Sequence, residues 1–222
     1  MIKLQDVYKE YTIGDSLLEI LQNINLEIKK GEFISIIGPS GSGKSTLMYM
    51  MGLLDIPTKG KVLMNDVDTS KLSDEKLSRL RNEKIGFVFQ QFNLINKFTV
   101  LENILLPTLY NPHTLDYDPQ IKAITLLKRF GLDHRTHSYP NKISGGEQQR
   151  AAIARALILE PEIIFADEPT GNLDTKTGET ILSLLEDLNK KEKITIVIVT
   201  HEAHIAEKTK RSISIQDGKI IK

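Results

Sequence analysis

At 222 residues, with 40% hydrophobic and 26% charged side chains, the chain has the length and make-up of a single α/β domain with room for a subdomain. Its 29 Lys+Arg balance 29 Asp+Glu, so the basic excess usual in a nucleic-acid binder is missing and no nucleic-acid partner is expected. The absence of cysteine excludes disulfides and thiolate metal sites, and apolar runs such as Ile194–Val199 are too short to span a bilayer.

The alternation of Ile2, Leu4 and Val7, then Ile24, Leu26 and Ile28, predicts strands over residues 2–13 and 18–29; the opening Met1–Asp6 does not read as a secretory leader. A Lys30-Gly31 turn leads into Phe33–Ile37, read as a buried strand. The next residues are Gly38, Pro39, Ser40, Gly41, Ser42, Gly43, Lys44, Ser45 and Thr46. They fit G-x-x-x-x-G-K-S/T, a phosphate-cradling loop, and a helix is expected from Lys44 to about Gly52. Such a loop aims consecutive backbone N–H groups, and the positive end of a helix dipole, at one anion.

A turn at 57–60 precedes a short strand, Lys61–Met64. Ser73 reads as an N-cap, with Asp74 and Glu75 in the first turn and Arg79, Arg81 and Lys84 towards the end. The apolar strand Ile85–Phe89 then runs into Gln90. From Phe92 to about Asn141 the pattern turns helical, with a loop at Pro107–Pro119, which predicts a helical insertion in an α/β core. A helix opens at Ser144, a strand runs over Ile163–Ala166, and a helix from about Lys176 places Ile181, Leu184, Leu185 and Leu188 on one face. The strand Thr195–Thr200 and a terminal hairpin turning at Asp217-Gly218 complete the chain.

Two further motifs carry chemistry. The strand at Ile163 ends in Asp167-Glu168, at the sheet edge where the phosphate loop belongs. Asp167 is placed to hold Mg²⁺ through water, and Glu168 to orient or deprotonate an attacking water. Ser144-Gly-Gly-Glu-Gln-Gln-Arg150 starts a helix with two glycines, a poor choice on propensity that makes sense if phosphate must approach the backbone. One chain thus carries two phosphate-facing helix starts, which need not serve one nucleotide within one subunit.

The phosphate loop, ISGGEQQR at 143–150, Asp167-Glu168, the run Pro169–Asp174 and Val199-Thr-His201, in that order, resemble the ATPase subunit of an ABC transporter over essentially the whole chain. The resemblance implies a P-loop core sheet with helices on both faces, an N-terminal antiparallel β subdomain and an inserted α-helical subdomain. It divides the single domain, 1–222, into a nucleotide-binding core (1–90 and 155–222) and a helical signature subdomain (about 91–154). It also implies a head-to-tail dimer of two copies with ATP between them.

Carried over residue by residue, Gly38 to Thr46 bind ATP, with Lys44 on the β/γ-phosphates and Ser45 on Mg²⁺. Ser144, Gly145, Gly146 and Glu147 bind ATP across the dimer, with Ser144 and Gly146 on the γ-phosphate held by the other copy. Gln90 senses Mg²⁺ and water, Asp174 couples the two sites, and His201 contacts the γ-phosphate. Tyr11 stacks on adenine, with Tyr8 a packing neighbour. His113, His134, His137 and His204 fall in polar stretches without metal-ligand spacing. Two residues depart from the family pattern: Ile143 stands for leucine, and Glu147 for glutamine, its carboxylate expected to point away from phosphate.

Only residues 91–143 lie between Gln90 and Ser144, too few for the long coiled coil of DNA-repair relatives. GFVFQQFNLI (86–95), LENILLP (101–107) and ADEPTGNLD (166–174) resemble the subgroup serving macrolide or peptide exporters, lipoprotein release and antimicrobial-peptide resistance. That implies a membrane permease partner with an extracytoplasmic domain, which holds the chain at the cytoplasmic face of the membrane. A cell-division ABC ATPase and a soluble cluster-assembly ATPase are the alternatives.

Overall fold

Two sheets organise the computed structural model, which describes residues 1–221. The strands and helices run β1 (Ile2–Ile13), β2 (Ser16–Ile28), β3 (Phe33–Ile37), α1 (Lys44–Met51), β4 (Lys59–Met64), β5 (Val67–Asp68), α2 (Asp74–Lys84), β6 (Ile85–Phe89), α3 (Val100–Leu105), α4 (Pro119–Arg129), α5 (Gly145–Leu157), β7 (Ile163–Asp167), α6 (Thr175–Glu192), β8 (Thr195–Thr200), α7 (Ala203–Lys208), β9 (Arg211–Gln216) and β10 (Lys219–Ile220). Strands β2-β1-β4-β5 form an antiparallel sheet, the expected N-terminal β subdomain. The second sheet has the order β10-β9-β3-β8-β7-β6, parallel except for the β10 edge.

The central strands β3, β7 and β8 are nearly continuous apolar runs because both their faces are covered. Side chains alternate between the faces. Ile34, Ile36, Ile163, Phe165, Val197 and Val199 join one cluster with α1 and the N-terminal sheet. Phe33, Ile164, Ala166, Ile196 and Ile198 join another with α3, α4, α5 and α6. The helical insertion therefore has no separate core: Val100, Ile104, Leu126 and Leu127 pack into the same cluster as one face of the sheet. Helix α5 also runs unbroken past residue 154, the expected subdomain limit, to Leu157. Overlapping the start of the expected Pro107–Pro119 loop, Leu106–Tyr110 forms a 3-10 turn with Pro107 near its start, where a missing N–H costs nothing.

The parallel register fixes the working edge. Ile37 lies beside Thr200, Asp167 beside Val199, and Phe89 beside Asp167. The residues following four strands, 38–43, 90–91, 168–174 and 201–202, therefore emerge together. This is the carboxyl edge of a parallel sheet, next to the point where β3 sits between β8 and β9.

Phe165 is fully buried at the middle of β7, its ring 5.9 Å from that of Phe87. Phe165→Ala should cost about 3–5 kcal/mol, the range for emptying a core aromatic site. Urea denaturation reads this directly, and a loss under about 1 kcal/mol would contradict the packing described.

Candidate nucleotide site

Helix α1 starts without a side-chain cap: Gly43, at φ 100°, stands at its N-cap and leaves the first N–H groups uncovered. Gly38 has no room for a side chain, because a Cβ would come 2.1 Å from the Ile215 carbonyl oxygen. The loop is thus wedged against β9, and Lys44, largely buried, donates from Nζ to the Gly38 and Pro39 carbonyls at 2.8 Å each. The Ser42 hydroxyl is buried without a partner. These features suit an anion at the helix start.

A cavity of about 680 Å³ opens there, lined by Pro39–Gly41, Gly43–Thr46, Ile20, Asp167, Glu168 and His201. Burial pushes the Asp167 carboxyl up; the Glu168 charge adds to this and Lys44 opposes it. Two adjacent carboxylates, with the Lys44 ammonium tied to loop carbonyls, fit a bound cation, and Ser45 lines the same cavity. Glu168 sits at φ 45°, unusual outside glycine, and its N–H donates to the Val199 carbonyl at 2.8 Å. The turned backbone lets its carboxylate accept from Thr200 Oγ1 (3.1 Å), His201 N (3.1 Å) and His201 Nδ1 (2.7 Å). Glu168 and His201 are therefore one hydrogen-bonded unit.

Other expected residues lie around this centre. Tyr11, 37% exposed, stands near Thr46; Lys9 Nζ lies 4.8 Å from its ring centroid, and its hydroxyl donates to Asp55 Oδ2 at 2.7 Å. Burial first, then the Asp55 hydrogen bond, pushes the Tyr11 phenol up to about 12. Lys9, Asp55 and Thr200 escaped sequence reading, since each acts through a partner distant in the chain. Gln90 is not in the cavity wall. Its amide meets Asn172 Oδ1 at 3.5 Å, because Gly171 has no side chain to keep it off. Asp174 caps α6, accepting from the Thr177 N–H at 3.0 Å.

The signature segment lies outside the cavity. Ser144 caps α5 in a reciprocal box: Glu147 N donates to Ser144 Oγ (3.3 Å), while Ser144 N and Oγ donate to Glu147 Oε2 (2.8 Å each). The Glu147 carboxylate therefore folds back over Ser144 instead of turning away, since the box satisfies two donors at once. Arg135 Nε holds its other oxygen at 2.8 Å, and His134 Nε2 stands 3.5 Å from it. The two glycines also have a packing role. A Cβ on Gly146 would come 2.5 Å from Thr177 Cγ2, so glycine lets α5 close on α6, quite apart from any phosphate. At the far end of α5, Arg155 donates to the carbonyls of Phe92 and Asn93, two successive left-handed residues, and the Phe92 ring approaches Gly145.

The family model described as ABC transporter matches residues 21–171. The chain belongs to the ABC transporter family. It is one of the family's ATP-binding, ATP-hydrolysing cassettes. An uncharacterized ABC transporter ATP-binding protein, MJ0796 of Methanocaldococcus jannaschii, is 48% identical over 223 residues, covering 99% of this chain and 95% of the relative. The macrolide export ATP-binding/permease protein MacB of Bdellovibrio bacteriovorus is 47% identical over 220 residues; the match covers 99% of this chain and 33% of that longer protein. A dimeric solved structure of MJ0796, a post-hydrolysis state bound to ADP and Pi, superposes with a TM-score of 0.92 at 46% identity, covering 100% of this chain and 97% of the other. Among the described residues no helix is long and apolar enough to cross a membrane.

The Glu147 cluster has a pH signature. Burial disfavours its charge, but hydrogen bonds from Arg135 and Ser144 outweigh this and hold the carboxyl at about 2, against an ordinary 4.5. A depressed folded value stabilises above the unfolded value, and the effect fades as pH falls through the folded one. Glu147→Gln should therefore be less stable than the parent at neutral pH, with the gap closing between 4.5 and about 2. Melting curves across that window test it; a gap independent of pH would contradict the assignment.

Proposed function

We propose that two copies of this cassette close head to tail on two ATP molecules and drive a membrane permease. One observation carries the reading: the cavity at the phosphate loop is lined without Ser144, Gly145, Gly146 or Glu147, while those residues form a second helix start with Ser144 exposed. A second copy can bring that start to the γ-phosphate, so each ATP is held by both. The solved MJ0796 structure is a dimer bound to ADP and Pi, which supports association of two copies.

Within such a dimer Lys44 exchanges its loop carbonyls for β/γ-phosphate oxygens, and the uncapped N–H groups of α1 hold the phosphates. Ser45 and Asp167 are the residues to hold Mg²⁺. When bound, that ion neutralises charge on the transferring phosphoryl group. Glu168 takes the proton of the attacking water, and His201, sharing its Oε1, steadies the carboxylate and reaches the γ-phosphate. Tyr11 offers its ring to adenine. Gln90 lies against Asn172 until the site closes, and Asp174 stands at the start of α6 to link the two sites. Loss of the γ-phosphate removes contacts made by both copies and reopens the clamp.

A groove of about 780 Å³ beside the sheet supplies the permease contact. Its wall is mainly apolar, with Phe87, Phe89, Leu106, Pro107 and Leu159, and Tyr110, 73% exposed, stands at its mouth. The chain then sits on the cytoplasmic face of the membrane, held by that partner. The likeness to MacB, a macrolide export protein, favours export, and the subgroup motifs widen the cargo to peptide, antimicrobial or lipoprotein. The protein that co-purifies from membranes tests this: a permease with a large extracytoplasmic domain supports it, and a soluble assembly scaffold would overturn it.

Two substitutions separate binding from chemistry. Lys44→Ala should weaken ATP binding about 10- to 100-fold, the loss expected for charged hydrogen bonds. Glu168→Gln should bind ATP normally while hydrolysis drops by about 10²- to 10⁴-fold. Equilibrium binding with fluorescent nucleotide and single-turnover hydrolysis distinguish the two; parental turnover in Glu168→Gln would remove Glu168 as the base.

A further inference from the structure

We propose that Arg135 is a positioning residue for ATP-driven closure: it holds and neutralises Glu147, so that the signature helix can meet the phosphate of the opposite copy. The proposal rests on the head-to-tail reading given above. In that reading, Ser144 approaches a strongly anionic γ-phosphate. Yet both its backbone N–H and its hydroxyl donate to a carboxylate, Glu147 Oε2, at 2.8 Å. An uncompensated carboxylate so close would repel the ligand, and the repulsion is strong where water is excluded. Glu147 remains ionised at working pH, because its carboxyl is held at about 2.

Arg135 supplies the compensation. Its Nε donates to Glu147 Oε1 at 2.8 Å, leaving Oε2 over the cap. The backbone fixes Arg135 in advance. It belongs to a 3-10 turn, Asp133–Arg135, and the residues after it are tied to the start of α3 by Leu101 N to Thr136 O (3.1 Å) and Val100 N to Ser138 O (2.9 Å). His134, the other basic group facing the carboxylate, stands farther off at 3.5 Å and is charged only if protonated. The guanidinium is the nearer and more directional partner, its N–H fork matching the carboxylate. It cancels the repulsion, and by holding Oε1 it keeps the carboxylate from swinging towards the phosphate when Ser144 Oγ turns its proton to that ligand.

The test uses the full chain carrying Glu168→Gln, so that ATP persists, with dimerisation followed by light scattering. Arg135→Ala should raise the ATP concentration for half-maximal dimerisation about tenfold, in line with exposing one charge at a closing interface. Nucleotide affinity of the dilute monomer should change less than about twofold, because the phosphate loop is untouched. Arg135→Lys keeps the charge and should lose less. Glu147→Gln removes the repulsion, so adding it to Arg135→Ala should restore dimerisation to within about threefold of Glu147→Gln alone. Dimerisation of Arg135→Ala equal to the parent, or a double variant as poor as Arg135→Ala, would overturn the proposal; the second result would assign Arg135 to the fold. Ser144→Arg separates failure of the underlying reading. If it dimerises with ATP as well as the parent, the signature helix does not face the nucleotide, and both readings fall together.

Discussion

The parallel register of β3, β8, β7 and β6 is the constraint from which the rest follows. It brings the phosphate loop, Asp167-Glu168, His201 and Gln90 to one edge, although they span more than half the chain. Such a sheet must be covered on both faces, and here the coverings differ in kind. One face takes α1 and a separate antiparallel sheet, and the other takes the helical insertion and α6. The nucleotide end and the signature end are thereby attached to opposite sides of a single rigid layer.

Several of the side chains expected to meet nucleotide already have partners. Lys44 is bound to its own loop, Glu168 to His201 and Thr200, Gln90 to Asn172, and Ser144 to Glu147. This avoids the cost of stranded buried polar atoms, of which the Ser42 hydroxyl is an exception within the loop. It also means that ligand contacts replace existing hydrogen bonds, so their net gain depends on charge and geometry more than on number. Closing the site is then, for those side chains, an exchange of one set of partners for another, while the uncapped start of α1 gains partners outright.

Much of the fold was legible in the chain. Strand alternation, the Ser73 cap and the Asp217-Gly218 turn act locally, so their residues sit side by side in sequence. The phosphate loop was legible for the same reason. What escaped depends on contacts between distant residues. Arg135 meets Glu147 across 12 positions, Lys9 meets Asp55 across 46 and Arg155 meets Phe92 across 63. A pair formed once leaves no period. The Gly-Gly pair was half legible: its helix start could be seen, while the closeness of Thr177 to Gly146 could not. Gln90 followed its motif in sequence, but its side chain answers to the bare Gly171 backbone beside it.

Helix α5 is held at both ends, by the Ser144–Glu147 box and by the Arg155 grip on Phe92 and Asn93. Its 13 residues make a rod about 20 Å long. A tilt of about 5° imposed at the Arg155 end moves the Ser144 end by roughly 2 Å, on the scale of helix shifts in switching proteins. The segment after Gln90 thus has a lever arm on the signature serine, and the amplification comes from the length of the helix alone.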